Sequence, residues 1–231
     1  MRSWVLTAMA VAMLAFAGRV SAAEAPMTER TEKLQLKPHR VKGLLLGYGY
    51  EVGEYSGEVR SRAKSVRGPL FSSDKAKTVF TIASPRWTTP MTVTCGGGQS
   101  RFALGWIEFK RQDLTYDCAF EGGPAGSAFS LALSEAPLMA ALYQPQRAAE
   151  LSFGGVTLRA ITRKVEGAMP FGGGRTLSYR ISNGDHEVGG LVRGVLQPTF
   201  YLPPAGSPDR DAAAVMALTL NFFQDPSDQQ P

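Results

Sequence analysis

Apolar and polar residues alternate in short runs along most of this chain, which is the period of strands whose two faces meet different surroundings. The plainest case is "GEVRSRAKSV" at 57–66, with Arg60, Arg62 and Lys64 on one face and Val59, Ser61 and Ala63 on the other. β-Branched and aromatic residues mark further strands at 78–83, 91–95, 102–110, 114–120, 128–133, 156–162 and 177–182. Asn183-Gly184 lies between two such runs and predicts a type I′ hairpin turn. Between Pro137 and Pro145 there is room for one short helix. The glycine triplets at 96–98 and 172–174, and "GYGYEVG" at 47–53, resemble phosphate-cradling loops. None has the spacing, the following helix or the Lys-Ser/Thr pair that such a loop needs, and all three read as turns.

The last segment breaks the alternation. Ser207 offers a cap, Pro208 suits a first helical position, and Asp209 and Asp211 fall where the helix dipole favours acids, so a helix is predicted over 208–224, stopped by Asp225-Pro226. From Ala212 to Phe223 it is apolar on every side except at Thr219 and Asn221. A helix apolar all round sits in a core or in a bilayer. At about 1.5 Å per residue this run spans about 18 Å, short of the roughly 30 Å of a hydrocarbon core. The fold class expected is therefore mainly β, a curled antiparallel sheet or barrel with a buried or tightly packed C-terminal α-helix.

The ordering of "LSYRISNGDHEVGGLV" ahead of "DRDAAAVMALTLNFF", with Gly189-Gly190 in the hairpin, resembles the tubby-like barrel of tubby proteins, plant LURP-one-related proteins and phospholipid scramblases. That resemblance covers about the last quarter of the chain and implies strands closing on a hydrophobic C-terminal helix, with lipid or membrane association. The chain differs from that family in its N-terminal pattern and its cysteine pair. "DLTYDC" is similar to the tyrosine corner of immunoglobulin domains, but Trp106 lies too close to Cys118 for the strands that would intervene.

The N-terminus sets the expected compartment. Arg2, the apolar run Trp4 to Ala17 and the small residues of "VSAAEA" form the pattern of a secretory signal peptide over 1–23, cleaved after Ala22 or Ala23. The region holds no cysteine for lipid modification, so a periplasmic or secreted protein is expected, with no transmembrane segment in the mature chain. Residues 24–42, charged, aperiodic and carrying Pro26 and Pro38, read as a flexible leader. A single β-rich domain is placed at 43–226, with 227–231 as a disordered tail. Losing Arg2 and Arg19 takes the net charge from +5 to 5 minus 2, or +3. An excess this mild gives no argument for nucleic acid.

Cys95 and Cys118, the only cysteines, are expected to pair as a disulfide. Candidate chemistry is sparse, and no metal or cofactor motif is present. A hydrolase acting on carbohydrate or ester would rely on His186 and Asp185, or on carboxylates such as Glu108, Asp113, Asp117 and Glu121 flanking adjacent strands. Arg60, Arg62 and Lys64, with Arg67, Lys75 and Lys77 nearby in sequence, make a basic face. It suits an anionic lipid or envelope polymer, or else protects an edge strand from aggregation. Trp87, Trp106, Tyr48, Tyr50 and Tyr55 read either as a ligand wall or as core. The function expected is a non-catalytic envelope protein binding a lipid-like or anionic ligand, with the hydrolase as the alternative.

Overall fold

In the computed structural model, which describes residues 25–42, 47–62, 67–68, 71–72, 77–98, 115–133, 147–163, 165, 177–193 and 197–223, the alternating segments form one antiparallel sheet of 13 strands. In chain order the elements are α1 (Met27–Arg30), β1 (Glu32–Gln35), β2 (Lys37–His39), β3 (Tyr48–Val52), β4 (Tyr55–Arg62), β5 (Arg67–Gly68), β6 (Phe71–Ser72), β7 (Lys77–Ile82) and β8 (Met91–Gly98). They continue as β9 (Thr115–Glu121), β10 (Ala128–Leu133), β11 (Arg147–Phe153), β12 (Val156–Thr162), β13 (Leu177–Asn183), β14 (His186–Arg193), β15 (Thr199–Leu202) and α2 (Arg210–Phe222). β5 and β6 pair only with each other. The rest follow the order β1-β15-β14-β13-β12-β11-β10-β9-β8-β7-β4-β3-β2.

The two edges of this sheet are consecutive in sequence. β1 pairs with β15, β2 pairs with β3, and only Leu36 separates them. One extended stretch thus joins both edges and brings the sheet close to a closed barrel. The segment set apart above as a leader is the strand that completes the wall, and α1 before it packs Met27 against Val165, Val192 and Tyr201. Composition misleads here because the outward residues Lys33, Gln35, Lys37 and His39 are exposed and polar, while only Leu34 and Leu36 enter the core. Pro38 is tolerated because β2 has a neighbour on one side only.

α2 lies within this wall. Ala212 to Leu220 are all at most 2 % exposed, and strands from around the sheet touch the helix. Phe222 meets Tyr50 of β3 at 4.7 Å and Phe80 of β7 at 5.0 Å between ring centroids, and Phe223 meets Tyr116 of β9 at 4.6 Å. On the β14 side, a Cβ at Gly189 would lie 2.7 Å from the Tyr201 carbonyl oxygen and 3.8 Å from Ala213 Cβ. That glycine and the small face of the helix let the two backbones approach. The expected core element is confirmed, with its ends shifted. Pro208 and Asp209 lie in a turn, and the Asp209 carboxylate, rather than capping, accepts a hydrogen bond from Asn183 Nδ2 at 2.9 Å.

The expected hairpin forms, but its turn is not of type I′. Asn183 pairs with His186, which leaves Gly184 (φ 56°) and Asp185 as the turn. Type I′ needs positive φ at both positions, and among the described residues only glycines have it, so the sign pattern is that of II′. Gly154-Gly155, between β11 and β12, does have both φ positive. Gly96 to Gly98, expected as a turn, continue β8 opposite Asp117, Tyr116 and Thr115, and "YGYEV" is β3 rather than a turn. Cys95 and Cys118 face each other across β8 and β9 and form the expected disulfide. The strand expected at 102–110, the helix between Pro137 and Pro145, the second glycine triplet, the signal region and the tail lie outside the described residues.

Candidate functional site

The wall has two unlike rims. Around the start of α2 the connections are short, at 53–54, 83–90, 122–127, 154–155, 184–185 and 203–209. At the opposite ends of the strands the sequence between elements is longer at 63–76, 99–114, 134–146 and 163–176, most of it outside the described residues, and short at 194–198.

At the short rim Arg210 is 2 % exposed. A glycine turn at Gly53 (φ 58°) aims Glu54 at it, and Glu54 takes a two-pronged hydrogen bond, Oε1 to Nε at 2.6 Å and Oε2 to Nη2 at 2.9 Å. Glu32 of the closing strand accepts from Nη2 at 2.8 Å, and the Pro203 carbonyl accepts from Nη1. The guanidinium holds both carboxyls below their ordinary range, chiefly through these hydrogen bonds. Beside it, Asp211 Oδ1 accepts from the Tyr55 hydroxyl at 2.6 Å and from Arg86 at 2.5 Å, and Oδ2 accepts from Trp87 Nε1 at 3.2 Å. Burial, then Asp211, drives the Tyr55 phenol well above its usual value. Every one of these groups is engaged with another, so the cluster is a clamp between helix, closing strand and wall. Sequence reasoning noticed the two aspartates and missed Arg210, Glu54 and Arg86, whose partners are far away along the chain.

At the other rim Arg147 points inward from β11. It donates to Tyr179 Oη at 3.2 Å and stands 5.5 Å from the centre of the Phe223 ring, which places a cation at the negative end of the helix dipole. The Thr78 and Tyr116 hydroxyls are buried nearby, and burial raises the Tyr116 phenol, with the Thr78 hydroxyl acting in the opposite direction.

The described residues among those considered for catalysis do not converge. Asp185 and His186 are exposed in the β13–β14 turn, Asp117 accepts from Ser130 Oγ at 2.6 Å on β10, and Glu121 is exposed at the end of β9. Glu108 and Asp113 lie outside the described residues. Asp185 does line a cleft of about 290 Å³ with Pro26, Met27, Arg30, Arg180 and Glu187, but Arg180 and Glu187 there are paired at 2.7 Å. Among the described residues no three His, Cys, Asp or Glu side chains come together as metal ligands. Of the aromatic set, Tyr50 and Tyr55 are core, Trp87 packs against it, and Tyr48 is 38 % exposed.

The basic face is more extensive than β4 alone. β4 lies between β3 and β7, so it is not an edge strand, and protection of an edge does not explain its arginines. Arg60 points outward and pairs with Glu58 at 3.0 Å, Arg62 stands in register with Lys77, and Lys64 lies outside the described residues. Two strands away, β2 sets Lys37 opposite Glu51 and His39 opposite Gly49, where a Cβ would collide with the imidazole. Lys33, Lys37, His39, Arg40 and Lys42 are all exposed. Lys33, Lys37, Arg40 and Lys42 form no ion pair among the described residues.

Compared with known proteins, the chain matches no family model, no curated protein and no solved structure.

Proposed function

We propose that this is a periplasmic or secreted binding protein, without catalysis of its own, which takes an anionic ligand, lipid-like or polymeric, on the outer wall formed by β1/β2, β3 and β4. The observation that carries this reading is the row of exposed cations on the closing strand, brought to the same wall as Arg60. Among the described residues the helix fills the inside, and the outer wall is a surface open to a partner. The outward residues Glu58, Arg60, Glu150, Arg159, Arg180 and Glu187 are the reverse of the apolar outer band of a membrane barrel. No helix among the described residues is long and apolar enough to cross a membrane. Cations clustered with so few acids between them attract anions by summed charge.

Native mass spectrometry of the protein purified from its own compartment, followed by extraction, tests the reading. Recovery of an anionic lipid or polymer, lost in a Lys33→Gln/Lys37→Gln variant, supports it. A clean protein mass, together with ester or glycoside hydrolysis that His186→Ala abolishes, would replace it with the hydrolase.

A further inference from the structure

The cations of the outer wall lie in a line. Lys33, Gln35, Lys37 and His39 share one face of a single extended stretch. At about 3.3 Å per residue, Lys33 and Lys37 stand about 13 Å apart, and His39 follows about 7 Å further on. Arg40 and Lys42 follow, exposed beyond the end of β2, and even a fully extended chain places Lys42 no more than about 30 Å from Lys33. Across the strands the positive charge is interrupted, since Glu51 stands opposite Lys37 and Glu58 holds Arg60. Along the strand no acid interrupts it, because Glu32 at its start turns inward to Arg210.

A compact anion can touch one or two of these groups. A flat anionic bilayer would meet Glu51 and Glu58 together with the lysines. An extended chain with regularly spaced negative charges can follow the lysines and leave those acids to one side. Resting on the anionic-ligand reading above, we infer that the partner is a linear polyanion, such as a phosphate-linked polymer, lying along the closing strand from Lys33 to Lys42. Its contacts are ion pairs to successive anionic groups, and its affinity comes from release of condensed counterions, so it scales with the number of cations covered. Gln35 and His39, between the lysines, add hydrogen bonds.

Binding of inorganic phosphate, tripolyphosphate and long-chain polyphosphate to the full mature protein, measured by calorimetry over a range of salt, tests this. Phosphatidylglycerol-containing vesicles serve as the competing source of anions. Affinity should rise with chain length, and log K against log salt should slope at about −3 to −4 for four covered cations. Lys33→Gln and Lys37→Gln should each reduce that slope by about one. Arg159→Gln, on the wall of β12, should leave it unchanged, and circular dichroism melts confirm that each variant folds. Binding to vesicles with the same lysine dependence but no gain with chain length would overturn the linear partner while keeping the anionic reading. No binding to any of these probes would overturn both.

Discussion

Arg210 shows how far one residue can be committed by its surroundings. A cation in the first turn of a helix opposes the dipole, yet here the guanidinium turns back to Glu54, Glu32 and the Pro203 carbonyl and is almost fully buried. Breaking a buried pair by removing one partner costs about 3–5 kcal/mol. Glu54 and Glu32 keep 25 % and 42 % of their side chains in water, which places Arg210→Met near the lower end of that range in chemical denaturation. The sign of the pH effect follows from the lowered pKa values of Glu32 and Glu54. A carboxyl depressed in the folded state contributes stability that is present above its unfolded pKa, about 4.3, and lost as pH falls through the folded value. Wild-type unfolding midpoints should therefore drop as pH falls below about 4, and Arg210→Met should lose most of that slope. A variant with unchanged slope would show that the ion pairs add no net stability.

At the scale of elements, local chemistry was legible where it acts over a few residues. The alternating strands, the β13–β14 hairpin and the cysteine pair form as their patterns predict. Legibility failed where a distant partner decides. Gly184 took the first turn position because β13 and β14 register Asn183 with His186, and the helix expected to follow a Ser207 cap starts only at Arg210, with the preceding Asp209 carboxylate engaged by Asn183. The triplet Gly96 to Gly98 reads as a turn by composition but lies in register with β9. The candidate site divides in the same way. Arg60 was visible from its alternation, whereas Lys33 and Lys37 were assigned to a leader because the outward residues of their stretch are polar and only Leu34 and Leu36 enter the core. The disulfide staples β8 to β9 with a sequence separation of 23. A Cys95→Ala/Cys118→Ala variant should lose on the order of 3 kcal/mol through the unfolded chain, measured as a lower denaturation midpoint with little change in the native far-ultraviolet spectrum.

At the scale of the whole molecule, the predicted buried helix was legible because its length, its apolar faces and its place after the strands pointed the same way. Closure of the wall was not, because it joins residues near one end of the chain to others some 170 positions away, as the separation of Glu32 from Arg210, 178, illustrates. The two features depend on each other. Leu218 is fully buried at the centre of α2, and Leu218→Asp should leave the strands nothing to wrap, seen as loss of cooperative unfolding and rapid proteolysis. A folded, cooperative Leu218→Asp protein would mean that the sheet closes without its helix.

The Glu32–Arg210 pair ties the outermost strand, made early, to the innermost helix, made late. During synthesis the wall emerges before the helix it encloses, and β1 waits for its partner β15 until the intervening strands have been made. A chain built in that order completes its wall only once β15 and α2 have both been made.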